Sequence, residues 1–137
     1  MPPDLQADLP RAAGWIAEAL TSSGYRADFS LASSKEVERF FSEHANEDGG
    51  ARPGGLLDED LGQRLFGLGA YLGEVLIRNL GGEWVTDDSD PEGEINVAVR
   101  LRDGSLVWPV QRVMKRLAAG ECESVHAYVA VIAARVE

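Results

Sequence analysis

The chain is short of most features that mark a dedicated chemistry. It holds one cysteine, Cys122, in 137 residues. A lone thiol closes no internal disulfide, so an oxidising compartment is not implied. Its only histidines are His44 and His126, which with Cys122 make fewer than the four ligands of a structural zinc site. No long apolar run is present. The most apolar window, Leu65–Ile77, carries Glu74 and falls short of the roughly 20 residues that span a bilayer. The opening Met1-Pro2-Pro3-Asp4-Leu5-Gln6-Ala7-Asp8 is acidic and leads into no apolar stretch, unlike a signal peptide. Lysine is scarce, at two against 11 arginines, and 13 bases face 23 acids for a net charge of −10. Such a field repels nucleic acid and anionic membrane and favours a basic partner, besides its plainer role in solubility. These absences give a reading as a soluble, cytoplasmic protein that binds no nucleic acid and enters no membrane.

What is present suits one domain. The length is that of a single core, and the 45% hydrophobic content is near the globular norm of about 45–50%. Leu9, Ala12, Ala13, Ile16 and Leu20 repeat at helical spacing. The spacing predicts a helix over about 9–22, capped by Asp8, opened by Pro10 and closed by Gly24. Tyr25, Ala27, Phe29 and Leu31 alternate with polar residues, which predicts a strand over 25–31. Ser33 and Glu36 form a capping-box pattern for a helix near 34–45. Residues 46–56, with four glycines and Pro53, read as a mobile loop within the single domain.

The most informative segment is Asp60–Leu80. Sorted at 100° per residue, Asp60, Arg64, Gly67, Tyr71, Glu74 and Arg78 form one narrow polar stripe, and nearly all else is apolar or glycine. This predicts a helix buried on two sides, the spine of the fold. Its glycines at 62, 67, 69 and 73 cost about 0.8–1.0 kcal/mol each relative to alanine. Close approach of another element offsets that cost, as does a groove for a ligand or partner; packing is the simpler explanation. Beyond Gly81-Gly82, short strands are predicted at 83–86, 95–101 and 105–108, with Asp103-Gly104 as a hairpin turn. Helices follow from Pro109 to about 119 and over 124–135. The fold read from this order is α+β: a small antiparallel β-meander packed on a long central helix with flanking helices.

Candidate chemistry is thin. Asp88-Ser89-Asp90-Pro91-Glu92-Gly93-Glu94 imitates the first half of a calcium loop, yet Val99 stands where the closing glutamate belongs. A solvated acidic turn is the plainer reading. Cys122 and His126 fall four apart without a further base or oxyanion donor in the pattern, so Cys122 reads as a small apolar residue. Arg100, Arg102, Arg112, Lys115 and Arg116 cluster without interleaved aromatics that would stack on bases; pairing with the 87–94 acids across the hairpin is expected instead. Tyr71, Glu74 and Arg78 are candidate binding residues if the polar stripe lines a cleft, with an ordinary i, i+4 ion pair as the alternative. Trp84 and Trp108 bracket the sheet; each is core, or a contact hot spot if exposed. No catalytic set, metal site or cofactor is read from the sequence.

Asp28-Phe29-Ser30-Leu31-Ala32-Ser33-Ser34-Lys35-Glu36-Val37-Glu38-Arg39-Phe40-Phe41, then Gly69-Ala70-Tyr71-Leu72-Gly73-Glu74-Val75 with Gly81-Gly82-Glu83-Trp84, and the helix opened by Pro109 together resemble a widespread family of small bacterial α+β proteins of unknown function. The resemblance runs from about Gly24 onward. It implies one α+β domain and a bacterial source, and carries over no activity, cofactor or site. The functional expectation is a non-enzymatic protein-binding module of adaptor or inhibitor type. One alternative is a small-molecule- or anion-binding protein, or a minor enzyme, with its pocket beside Tyr71, Glu74 and Arg78. Another is a homodimer without a ligand.

Overall fold

Amide accounting at its first turn sets where the chain enters its first helix. In a computed structural model, which describes residues 4–136, α1 runs Leu5–Ser22. Its start is four residues earlier than the periodicity gives. Asp4, not Asp8, is the cap and accepts from Ala7 N at 3.2 Å. Asp88 reaches across from the acidic loop to accept from Leu5 N at 3.0 Å. Two carboxylates thus satisfy amides at the positive end of the helix dipole, and Pro10 lies inside the helix. The far end closes as the sequence indicates. Gly24 adopts φ +94, with Tyr25 N bonded to Leu20 O and Gly24 N to Thr21 O, the paired closure that a left-handed glycine permits. Residues Met1–Pro3 of the acidic opening lie outside the described part.

The strand expected at 25–31 does not form. Tyr25 is buried and Ala27, Phe29 and Leu31 are half-buried, so the alternation reports burial, but residues 25–31 join no ladder with the described residues. Turn chemistry wins locally. Asp28 Oδ1 accepts from both the amide and the hydroxyl of Ser30, Phe29 sits at φ +62, and Ser30 caps a short 3-10 turn at Leu31–Ser33. Side chains of this kind offer the backbone an alternative to pairing. The capping box is also redirected. Ser33 Oγ donates to Ser30 O at 2.6 Å, while Glu36 accepts from Arg26 N at 2.9 Å and pairs with Arg39. Helix α2, Ser34–His44, still buries Val37, Phe40 and Phe41 as its spacing requires. The glycine-rich loop after it is tied back: Arg52 N bonds to His44 O, Gly50 N bonds to Leu117 O, and Leu57 is fully buried.

Helix α3, Leu61–Leu80, is the spine, with Gly67 through Leu76 buried without a break. Helices α1 and α5 (Pro109–Ala119) pack against it, and the Trp84 ring of the sheet rests on its second half at Gly73. Three of its glycines are explained by these neighbours. A Cβ on Gly67 would press on Ile16 at 3.2 Å, one on Gly69 would lie 2.6 Å from Val110 Cα, and one on Gly73 would collide with the Trp84 ring. Gly62 meets nothing within 4 Å.

The sheet is an antiparallel meander of β1 (Gly82–Val85), β2 (Ala98–Leu101) and β3 (Leu106–Val107). Trp84 pairs with Val99, which pairs with Val107. The hairpin turns as expected, with Gly104 at φ +89 and Asp103 holding Ser105. β2 is shorter than its alternation predicts. Ile95 and Asn96 belong to a one-turn helix, α4 (Gly93–Asn96), because Asp90 accepts from Glu92 N and Asn96 Nδ2 and coils the chain there. A 3-10 turn at Glu121–Glu123 leads into α6, Val125–Val136. Cys122 therefore precedes the helix that carries His126.

Candidate functional site

Tyr71, Glu74 and Arg78 share a face of α3, but the face is mostly covered. Tyr71 is fully buried. Its hydroxyl accepts from Phe29 N at 3.1 Å and shares a hydrogen bond with Ser33 Oγ at 2.7 Å. Burial pushes its pKa upward, so it stays a neutral phenol. Glu74 is 9% exposed; Oε2 accepts from Trp84 Nε1 at 2.8 Å and Oε1 pairs with Arg78 at 3.3 Å. The Arg78 guanidinium lies over the Phe29 ring, 3.7 Å from its centroid. The three residues tie the spine to the 25–33 segment and to β1. The larger surface clefts are lined by other side chains.

The two tryptophans of the sheet separate. Trp84 is core, its ring against Gly73 and its indole N–H spent on Glu74. Trp108 is 43% exposed and borders a cleft of about 470 Å³ between β3, α5 and α6. Strand geometry places it there. Val107 points inward, so its neighbours Leu106 and Trp108 point out. Across the cleft stand Tyr128 and Val131 of α6. Arg112 lies with its guanidinium 4.6 Å from the Tyr128 ring centroid and forms an ion pair with Glu123. Burial pushes the Tyr128 hydroxyl up to about 12, with Arg112 pulling the other way. Lys115 and Arg135 complete a rim of three cations against Glu123. The exposed Cys122 thiol sits at this rim, donating to Ala119 O at 3.3 Å, while His126 Nδ1 is engaged by Ser34 Oγ at 2.9 Å.

Three of the five clustered bases are paired internally, although with other partners than the sequence suggests. Arg100 meets Glu83 across the β1–β2 ladder at 3.2 Å, Arg112 meets Glu123, and the buried Arg116 meets Glu38 at 2.8 Å. The three aspartates of the 87–94 loop serve the backbone instead: Asp87 holds Ser89, Asp88 holds Leu5, and Asp90 holds Glu92. No group of three or more His, Cys, Asp or Glu side chains among the described residues is placed to hold a metal ion. Tyr128, Val131 and Leu106 escaped the sequence reading as site residues. The alternation of 106–108, with Val107 as the inward residue, was the available signal for Leu106. Val131 lies off the Val125, Val129, Ile132 face, which was the signal for the helix side.

No family model, curated protein or solved structure matches the chain. No described helix is long and apolar enough to cross a membrane.

Proposed function

We propose that the protein is a non-enzymatic protein-binding module of adaptor or inhibitor type, working in the bacterial cytoplasm, and that the Trp108 cleft is a docking surface. One observation carries the reading: Trp108 stands exposed beside a cleft whose opposite wall is aromatic and aliphatic. Tryptophan, tyrosine and arginine are the residue types over-represented where binding energy concentrates. An indole and a neutral phenol facing one another give an entering apolar side chain two large surfaces, and the Arg112 fork supplies hydrogen bonds at the edge. The basic rim favours a segment with acidic flanks at this cleft. A pocket beside Tyr71, Glu74 and Arg78 is the weaker reading, because the polar atoms of Tyr71 and Glu74 are already bonded within the fold.

Affinity capture from the native host at physiological salt tests it, with wild type and Trp108→Ala compared at matched folding. A protein retained by wild type and lost with Trp108→Ala is the expected result. Retention of the same set by both variants, or of nothing by either, counts against the reading. A dimeric mass in solution that becomes monomeric in Trp108→Ala would instead make the cleft a contact between two copies.

A further inference from the structure

Helix α5 divides two clefts of opposite character. Its Gln111, Arg112 and Lys115 side borders the Trp108 cleft. Its Val110 and Met114 side borders a second cleft of about 340 Å³, closed by Leu65 and Phe66 of α3 and by Pro91 and Ile95. The second floor is apolar, and Met114, 37% exposed, is an adaptable contact. Its rim is acidic. Glu92 and Glu94 line it, and none of its described lining side chains is basic. Asp58, Glu59 and Asp60 lead directly into the α3 turn that carries Gly62. Gly62 also lines this cleft, and it is the one α3 glycine that no packing contact explains. A side chain there would enter the opening. Past Phe66 and Glu94 the surface continues into a neighbouring cleft that ends at Trp15, itself 44% exposed.

From this we infer a second docking surface: the Gly62–Met114 cleft takes a basic amphipathic helix of a partner protein, with apolar side chains on the floor and Lys or Arg against the carboxylate rim. Helix-in-groove recognition sets anchors at i, i+3 or i+4 and i+7 against an apolar floor. Charge decides the sign of the flanks. The positive end of the α3 dipole, worth about half a charge, lies at the same end of the cleft and is outweighed by the full charges of Glu92 and Glu94 that line it. The whole-molecule charge of −10 adds long-range steering of a basic segment. This inference stands apart from the Trp108 cleft, and either surface can fail alone.

The test uses a fluorescently labelled synthetic helix of about 18 residues, five turns, with leucine on one face and lysine on the other. Binding is followed by anisotropy at physiological salt. Two control peptides accompany it, one of the same composition with the period scrambled and one with glutamate for lysine. The Leu/Lys helix is expected to bind and both controls to bind about tenfold more weakly or worse. Gly62→Leu, which places a side chain in the opening while favouring the helix, is expected to lose about tenfold or more in affinity with no loss of melting temperature. Glu92→Lys with Glu94→Lys is expected to weaken binding and flatten its salt dependence, and Trp108→Ala to leave it unchanged. Absence of binding, equal binding of the scrambled peptide, or undiminished affinity in Gly62→Leu would each overturn the inference. The scrambled-peptide result would assign the attraction to net charge alone.

Discussion

Three glycines on one helix do different work from the fourth, and alanine separates them. Gly69 lets the Val110 backbone approach, and Gly73 accepts the six-membered ring of Trp84. Alanine at either site gains about 1 kcal/mol of helix propensity but forces two elements apart in a filled core. Overpacking of this kind costs about 1–3 kcal/mol, occasionally more, so the net effect expected is destabilisation. Gly62→Ala meets open space and is expected to be neutral or to stabilise by up to about 1 kcal/mol, less if the first turn contributes weakly. Urea unfolding of the three variants checks this. A neutral Gly69→Ala would mean that α5 retreats freely, against the tight packing described here. Helical spacing showed where the glycines lie, but which neighbour each one faces depends on Ile16, Val110 and Trp84, residues beyond the helix that spacing does not register.

At the scale of elements, Glu38 joins three helices. From α2 its Oε2 pairs with Arg116 of α5 at 2.8 Å, and its Oε1 accepts from Val125 N at the start of α6 at 3.0 Å. Arg116 is 2% exposed, an unusual burial for an arginine, and its guanidinium also lies 5.5 Å from the Phe41 ring centroid. Arg116→Ala removes the cation and leaves Glu38 facing a gap. Breaking a buried pair costs about 3–5 kcal/mol; the partial exposure of Glu38 lowers the expectation to about 2–4 kcal/mol. Arg116→Met combined with Glu38→Gln is expected to recover much of the loss, since it refills the volume and keeps an acceptor for Val125 N. Thermal melts of the single and double variants check this, and additive losses would refute the coupling. None of this junction was legible from the cluster of bases, because sequence proximity suggested the 87–94 acids as partners. The helices themselves were legible, since their apolar periods are strong. The misread strand at 25–31 shows the limit of a period of two: it reports which side chains are covered, whereas a strand also needs a neighbour to pair with.

For the molecule as a whole, the excess of ten negative charges is a standing repulsion in the folded state. Raising salt from about 10 mM to about 150 mM shortens the Debye length from about 30 Å to about 8 Å. The exposed pairs Arg39–Glu36 and Arg100–Glu83 lose little, because such pairs contribute roughly 0–1 kcal/mol at most. The melting temperature is therefore expected to rise over that range, by scanning calorimetry. A fall would mean that specific pairs outweigh the general repulsion. The same field is uneven at the surface, since the Trp108 cleft has a basic rim and the Gly62 cleft an acidic one on the two sides of α5.

The amino-acid sequence by itself determined the five long helices, the hairpin turn and the central position of Leu61–Leu80, because these follow from local periods and left-handed glycines. It also determined the net charge and the scarcity of ligating and nucleophilic residues. Tertiary structure alone decided which side chains are spent internally. It covered Tyr71 and Glu74, which local pattern left on a polar stripe, and it exposed Trp108, which local pattern left undecided. The physical reason is that burial depends on what arrives from distant chain: Ser33 and Phe29 closed over Tyr71 and Trp84 over Glu74, whereas the Trp108 side chain was left exposed beside a cleft.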